Sequence, residues 1–364
     1  MKRYLLPLTM IVIVFSLAHY YIFRVVTGSF LEPNLFTQIF GAILAVTIFA
    51  LPSAFFSSLS KYKKQLSFVS WIGFIWLGFF QIIFFFTLVE TIISVINPHL
   101  YSYWVLIASI LISLWALYKG LKKPTLIRHK ITGPESLKGF SLVQVSDLHI
   151  GLLHLNQKWL ASVVERVNEI KPHAFAITGD LVEGAYKEVS PQLAPLKDIH
   201  VNIEKFYITG NHEYIHGSGP WELRLKELGY HTLHNENLIL TYQQAKILVA
   251  GVPDRMAPRF DRNLASLPDV ALKTNQKVNY KILLAHEPAS IWDMKTETCD
   301  LLLSGHTHGG QIFPFGVLVR IAQPVVRGFK KFGSTLVFAH MGTGLWGPPM
   351  RWFTRSEIVL IEWE

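Results

Sequence analysis

Charge is nearly missing from the first third of this chain. Between Met1 and Tyr118 the acidic and basic side chains, histidine aside, are Lys2, Arg3, Arg24, Glu32, Lys61, Lys63, Lys64 and Glu90. An ordinary soluble domain carries about 25% charged residues, so this stretch does not read as a surface made for water. Cysteine is scarcer still. Cys299 stands alone, which excludes an internal disulfide and agrees with a reducing compartment; a small buried apolar residue is account enough of it. A Walker-type phosphate loop is missing, as is a G-x-G-x-x-G run after a strand, so nucleotide cofactors are not indicated. The chain also lacks internal repeats and low-complexity segments.

What is present divides in two. The 364 residues are 51% hydrophobic and 16% charged, with a mean hydropathy of +0.32, and the apolar excess lies at the front. Windows of roughly 20 apolar residues give about four spanning helices: Tyr4 to Val25, Leu35 to Ser57, Phe68 to Ile96 and Tyr101 to Tyr118. Tyr20, Tyr21, Trp71, Tyr101 and Tyr103 fall near the ends, where amphipathic rings meet headgroups. Pro52 inside the second run is tolerable where neighbouring helices satisfy the freed carbonyl.

Lys2 and Arg3 precede the first run, Lys61, Lys63 and Lys64 join the second to the third, and Lys119, Lys122, Lys123, Arg128 and Lys130 follow the fourth. The positive-inside bias then puts both termini, and the soluble part, in the cytoplasm. A signal peptide is the other reading of the first run, and it leaves the soluble part on the same side. The expected divisions are a transmembrane helical domain over 1–118, a basic linker over 119–138 and a soluble domain over 139–364. Net charge is +9. Its cations cluster beside a span, which points to topology and anionic lipid rather than nucleic acid. Glu90, near the end of the third run, is read as reaching the interface or bonding to a neighbouring helix.

Charges become frequent after Lys119, and short apolar runs then end repeatedly in ligand-type residues. Leu142 to Val145 leads to Asp147 and His149, Ala174 to Ile177 to Asp180, and Phe206 to Ile208 to Asn211 and His212. Tyr280 to Leu284 leads to His286, and Leu301 to Leu303 to His306 and His308. Read as strands, these runs deliver side chains to the loops at their carboxyl ends. Asp147 and His149, like His306 and His308, are two apart, and an extended backbone would project both to one side. Helical spacing from Trp159 to Ile170, a weaker helix near Val189 to Ile199, and Trp221 to Leu228 give a β-α-β-α-β order. Further strands near Leu238 to Leu240, Ile247 to Ala250, Thr335 to Ala339 and Ile358 to Ile361 are too many for one parallel sheet. A four-layer α-β-β-α sandwich is the economical arrangement.

Asp147-Leu-His149, Gly179-Asp180, Gly210-Asn-His-Glu213, His286 and Gly305-His-Thr-His-Gly-Gly-Gln311 together resemble the calcineurin-like metallophosphoesterase superfamily, over Gln144 to Glu364. Leu284-Ala-His-Glu-Pro288 and Met341-Gly-Thr-Gly-Leu-Trp-Gly-Pro-Pro349 are similar to a membrane-associated bacterial subgroup. The resemblance implies two divalent metal ions, with Asp147, His149 and His308 on one, Asn211, His286 and His306 on the other, and Asp180 shared. Mixed imidazole, carboxylate and amide ligands suit Mn, Fe, Zn or Co. It also implies hydrolysis by a metal-bridging hydroxide, with His212 as general acid. Glu213 would orient His212 or cap the loop. Arg351 and His216 are further candidates for binding substrate, and His340 for lining the pocket. In Gly251-Val-Pro-Asp254, Pro253 departs from the acidic residue the resemblance leads one to expect, which leaves the role of Asp254 open.

These readings lead to a multi-pass plasma-membrane phosphoesterase with a cytoplasmic catalytic domain and a phosphoester or diphosphate substrate, carried on a lipid or lying at the membrane surface. Two rivals remain. One is a general or cyclic-nucleotide phosphodiesterase merely tethered to the membrane; the other is a non-catalytic membrane sensor.

Overall fold

The computed structural model describes residues 2–28, 34–59, 65–97 and 102–364. Glu32, Lys61, Lys63, Lys64 and the loop residues 98–101 lie outside them, as do the side chains of Lys2 and Arg3. The chain divides into two compact units, one reaching to Leu121 and including Gly347–Trp352, the other made of Lys122–Trp346 and Phe353–Glu364.

The helical unit comprises α1 (Lys2–Thr27), α2 (Leu35–Thr47), α3 (Ala50–Leu59), α4 (Ser67–Ile96) and α5 (Tyr103–Leu121). Among the described residues three stretches are long and apolar enough to cross a membrane, 35–54, 67–96 and 103–121; in the first helix the apolar part, 12–27, is shorter. The second expected run is broken at Ile48 and Phe49. Pro52 explains the place, because its ring opposes the carbonyl four residues earlier, that of Ile48. Outward side chains such as Val46, Val95 and Ile107 are exposed and apolar, whereas Ile22, Phe40, Leu44, Ile83 and Val105 form an inner cluster. Glu90 is buried. Its carboxylate accepts from Ser102 Oγ at 2.9 Å and from Trp104 Nε1 at 2.6 Å, so it bonds to the start of α5.

Gly347–Trp352 was expected in the soluble domain, yet it packs with the helices. Arg351 N–H donates to Ala116 O at 2.9 Å, and the Trp352 ring lies 5.6 Å from that of Phe85. An apolar Pro-Pro-Met segment finds its burial among apolar helices.

The second unit holds β1 (Thr125–Ile131), β2 (Ser141–Val145), α6 (Gln157–Asn168), β3 (Ala174–Thr178), α7 (Tyr186–Val189), β4 (Glu204–Ile208), α8 (Asn211–Ile215), α9 (Ser218–Glu227) and β5 (His231–Thr232). Then come β6 (Glu236–Tyr242), β7 (Ala245–Gly251), α10 (Pro268–Ala271), β8 (Tyr280–Leu284), β9 (Leu301–Ser304), α11 (Phe315–Ala322), β10 (Gly328–Phe332), β11 (Thr335–Ala339) and β12 (Glu357–Trp363). Two six-stranded sheets result, ordered β1-β12-β2-β3-β4-β5 and β10-β11-β9-β8-β7-β6. The strands that carry candidate ligands pair in parallel, β2 with β3, β3 with β4, and β8 with β9, so their carboxyl ends share one edge in each sheet.

Side chains alternate between faces with a period of two. Leu142, Ala176, Phe206, Ile247, Ile282, Leu303 and Ile361 from both sheets meet in one cluster. On the other face of the first sheet, Val143, Val145, Phe175 and Tyr207 pack on Leu160, Val163, Val164 and Val167 of α6 and on Trp221 and Leu225 of α9. On the other face of the second sheet, Leu248, Leu283 and Leu302 pack on Ala271 and Ile291. Apolar residues on both faces are what parallel strands with covered sides require.

The expected linker over 119–138 is corrected in its middle. Thr125–Ile131 is an edge strand, parallel to Glu357–Trp363. Arg128 and Lys130 lie on its exposed side while Ile127 and Ile131, on the alternate face, pack inward, which suits an edge that keeps charge toward water. The weak helix near 189–199 is mostly a 3-10 run, Ser190–Asp198, with Pro195 inside it, because proline removes the N–H that an α-turn needs.

Candidate metal centre

Five loops at the strand ends bring the ligand-type residues together, though not by extended backbone. Asp147, His149, Asp180, His306 and His308 have φ of 54, 46, 50, 66 and 48°. Left-handed conformations at non-glycine residues are uncommon and gather at functional sites. Each such turn swings a short polar side chain across its strand end, and it replaces the extended i, i+2 projection that the spacing suggested. Glycine is required beside them at Gly305, where a Cβ would strike Ser146 Oγ and Asp147 Oδ2.

Hydrogen bonds fix the loops to one another. Asp147 N–H donates to Gly179 O at 3.0 Å and His149 N–H to Asp180 O at 3.0 Å. His306 N–H reaches the Asp147 carboxylate at 3.0 and 3.1 Å. Thr343 N–H donates to Ser146 O at 2.8 Å and Gly344 N–H to Asp147 O at 3.0 Å. Glu213 is wholly buried. Its carboxylate accepts from the N–H groups of Asp180, Leu181, Val182 and Gly210 at 3.0, 2.8, 3.2 and 2.6 Å. Of the two roles left open for Glu213, these contacts make it the cap of the Asp180 loop.

Three groups of side chains converge. Asp147, His149 and His308 offer ligand atoms within 4.8 Å of one another, and so do Asp180, His286 and His306. His149 Nε2 lies 3.3 Å from His308 Nε2, and His308 Nε2 3.4 Å from Asp147 Oδ1. In the second group His286 Nε2 lies 3.2 Å from Asp180 Oδ2, while Asn211 Oδ1 lies 3.1 Å from His306 Nδ1. The groups meet at one atom: Asp180 Oδ2 is also 3.9 Å from His149 Nε2.

The donor chemistry fits divalent cations. His286 Nδ1 is 2.7 Å from Thr178 O, and a carbonyl only accepts, so Nδ1 carries the proton. Nε2 then turns a lone pair toward Asp180 without a hydrogen bond, the orientation of a metal-binding imidazole whose other nitrogen is held by a backbone oxygen. Burial opposes a second proton on His286, but the Asp180 charge outweighs it and raises the pKa well above the ordinary value. A proton and a cation therefore compete for one place. Burial would raise Asp180, yet His286, His212 and His149 hold its carboxyl well below the usual range. Burial and the neighbouring His286 keep His306 low, hence neutral.

The third group is His149, Glu183 and His212, and Glu183 is the member that sequence reasoning missed. Its Oε2 lies 2.6 Å from His212 Nδ1 and 3.3 Å from His149 Nδ1, and its Oε1 3.1 Å from His216 Nε2. Burial pushes the Glu183 carboxyl up, but bonds to the three histidines win and hold it well below the ordinary carboxylate range. Burial lowers His212, whereas Asp180 and Glu183 carry it the other way, to about 9. Asp254 is also buried beside this region, with Oδ1 accepting Met256 N–H at 2.7 Å and Oδ2 unmatched among the described residues. Arg351, by contrast, is buried in the helical unit.

Residues 140–310 match the model of the calcineurin-like phosphoesterase family. An uncharacterised metallophosphoesterase of Campylobacter jejuni is 34% identical over 260 residues, which cover 69% of this chain and 67% of that relative. The chain belongs to the calcineurin-like phosphoesterase family. The chain is also 37% identical over 246 residues to an uncharacterised metallophosphoesterase of Helicobacter pylori, covering 67% of its own length and 65% of the relative's. It thus spans about two thirds of that relative. A Danio rerio protein named as a transmembrane protein with metallophosphoesterase domain is 30% identical over 273 residues, 70% of this chain and 61% of the relative. The family uses divalent metal ions, and the converging groups are its candidate ligand sets here.

Proposed function

We propose that this chain is a membrane-anchored hydrolase of phosphoesters or diphosphates, acting on a substrate carried by lipid or lying at the membrane surface. One observation carries the enzymatic part: Asp180 Oδ2 stands within 3.2 Å of His286 Nε2 and 3.9 Å of His149 Nε2, so a single carboxylate oxygen serves both ligand groups. Asp147, His149 and His308 would hold one cation and Asn211, His286 and His306 the other, with Asp180 shared. Cations of the Mn, Fe, Zn or Co class supply Lewis acidity toward phosphoryl oxygens and acidify water when bound. The two sheets with their outer helices are read as a four-layer α-β-β-α stack.

His212 supplies the proton. With Nδ1 on Glu183, its Nε2 is left to face the leaving group. One proton of the attacking water is lost to solvent, its oxygen bonds to phosphorus as the ester P–O bond breaks, and Nε2–H passes to the departing oxygen; Glu183 balances the charge of the ring beforehand, and the ring regains a proton from solvent afterwards. His216, on the other Glu183 oxygen, borders the same place.

The membrane part rests on three helices of membrane length among the described residues and on relatives named as transmembrane proteins. Four spans, with the catalytic domain on the cytoplasmic side, are the topology that fits the cation-rich loops. Nucleic acid is not an expected partner.

The test is a substrate screen of the Mn-loaded full chain in mixed micelles, comparing a lipid phosphate or diphosphate with a short water-soluble diester. His212→Ala is expected to keep its metal and lose roughly 10²- to 10⁴-fold in kcat, whereas Asp180→Ala loses both metal and turnover. Metal and activity retained in Asp180→Ala would overturn the shared-ligand role. Equal turnover of the soluble diester would remove the lipid preference and favour a tethered phosphodiesterase.

A further inference from the structure

Helix α11 has apolar surface that neither the core nor the metal centre uses. None of its eight residues is buried. Phe315, Val317, Leu318 and Ile321 are 42, 58, 59 and 82% exposed, in a helix whose solvated face would ordinarily be charged. The apolar surface continues through Phe353, 68% exposed, whose ring lies 5.6 Å from that of Phe313 just ahead of the helix.

The helix is built onto the loop that carries His308. Gly310 follows His308 by two residues, and a Cβ there would collide with Gly316 of α11. What α11 touches therefore sits next to the candidate site.

Charge and size choose the occupant. Between Asp300 and Glu357 the sequence holds no acidic residue, while Arg320, Arg327, Lys330 and Lys331 lie on α11 or soon after it. Two copies of such a patch would repel. A two-turn helix, about 12 Å long at 1.5 Å per residue, also falls short of the roughly 800 Å² per partner that a stable protein interface buries. An anionic bilayer answers both features, because apolar side chains enter the acyl boundary while cations meet headgroup phosphates.

We propose that α11 lies in the surface of an anionic bilayer, with Val317, Leu318 and Ile321 inserted roughly 5–10 Å into the headgroup–acyl boundary, and holds the His308 loop against the lipid. This rests on the membrane-anchored reading above and adds to it where the substrate is met. A lipid carrying its phosphate at that depth reaches the site without leaving the bilayer.

The test uses the full chain in vesicles of phosphatidylcholine and phosphatidylglycerol. Cys299 is buried and its thiol is pushed up to about 12, chiefly by burial, so a fluorophore goes to a cysteine introduced by Ile321→Cys. Lys246→Cys, at the amino end of β7 and away from the ligand loops, is the reference. The label at 321 is expected to be quenched by nitroxide on the lipid and spared by aqueous iodide, and the reference label to show the reverse. Adding Leu318→Glu should reverse the pattern at 321. Iodide quenching at 321 in vesicle-bound protein overturns the proposal, and so does shielding from both quenchers, which would mean a protein partner. Because quenching needs no turnover, loss of the hydrolase reading leaves this outcome legible. A chain that fails to float with vesicles overturns the anchored reading, and this proposal with it.

Discussion

Glu183 holds His212: its Oε2 stands 2.6 Å from His212 Nδ1. The same oxygen faces His149 Nδ1 at 3.3 Å, so one carboxylate orients the candidate proton donor and one candidate ligand together. Imidazole orientation by such partners is worth roughly 10- to 100-fold in activity or metal affinity. Glu183→Gln keeps the shape and removes the charge. It is expected to lower kcat by about that factor, and to move the alkaline limb of the pH–rate profile toward neutrality because His212 loses its counter-charge. A profile of unchanged shape with an unchanged kcat would mean that Glu183 is only packing.

The direction of the pH dependence follows from His212. Its folded pKa of about 9 lies above the ordinary 6.5, so the protonated, Asp180- and Glu183-paired form adds stability that is complete below pH 6.5. That contribution is lost as pH rises through about 9. In the metal-loaded enzyme cations on Asp180 would offset its charge, so activity should fall on the alkaline side at a pH below that of the metal-free group, once the donor is empty. On the acid side the candidate ligand histidines must be neutral to bind metal, so turnover and bound metal should fall together. Activity and metal content measured across pH on one preparation check both limbs.

Much of the site was legible because each candidate ligand follows an apolar run, and parallel strands place such runs side by side. Hydropathy likewise located the helical region without any homologous template. Glu183 was not legible in this way. It sits three residues beyond Asp180 in a loop without periodicity, and its histidine partners come from two other loops. An acid so soon after a bridging-type aspartate was the available signal. Strand β1 was hidden because its partner, β12, is more than 200 residues later in the chain. Helix α11 was hidden because an apolar stretch with no core to face gives periodicity nothing to match. The left-handed turns at Asp147, His149, Asp180, His306 and His308 break local rules at positions where only the assembled centre rewards them.

Asp254 is expected to weaken the metal-free fold at alkaline pH. Burial is the main cause that raises its carboxyl to about 7, from 3.8 in the unfolded chain. The folded state therefore holds the proton more tightly, and stability falls as pH rises from about 4 through 7. A shift of that size corresponds to at most roughly 4 kcal/mol. Asp254→Asn mimics the protonated group, so in chelator-treated protein it should raise the Tm at pH 8 and change it little at pH 4. A lower Tm at pH 8 would show that the carboxylate is stabilised by its surroundings.

Within the helical unit the corresponding question concerns Glu90. Its carboxylate is the acceptor for both Ser102 Oγ and Trp104 Nε1, and it thereby ties α4 to the first turn of α5. Negative charge at a helix start is favourable in its own right, and polar bonds between helices in lipid are worth about 1–2 kcal/mol at the upper end. Glu90→Ala leaves a partly buried indole N–H without its acceptor and should lower the thermal midpoint of the detergent-solubilised chain by several degrees. Glu90→Gln keeps an acceptor oxygen and should recover most of the loss. If the alanine variant melts with the parent, α4 and α5 are held by apolar packing alone, and the buried acid must be explained by something other than the hydrogen bonds it makes.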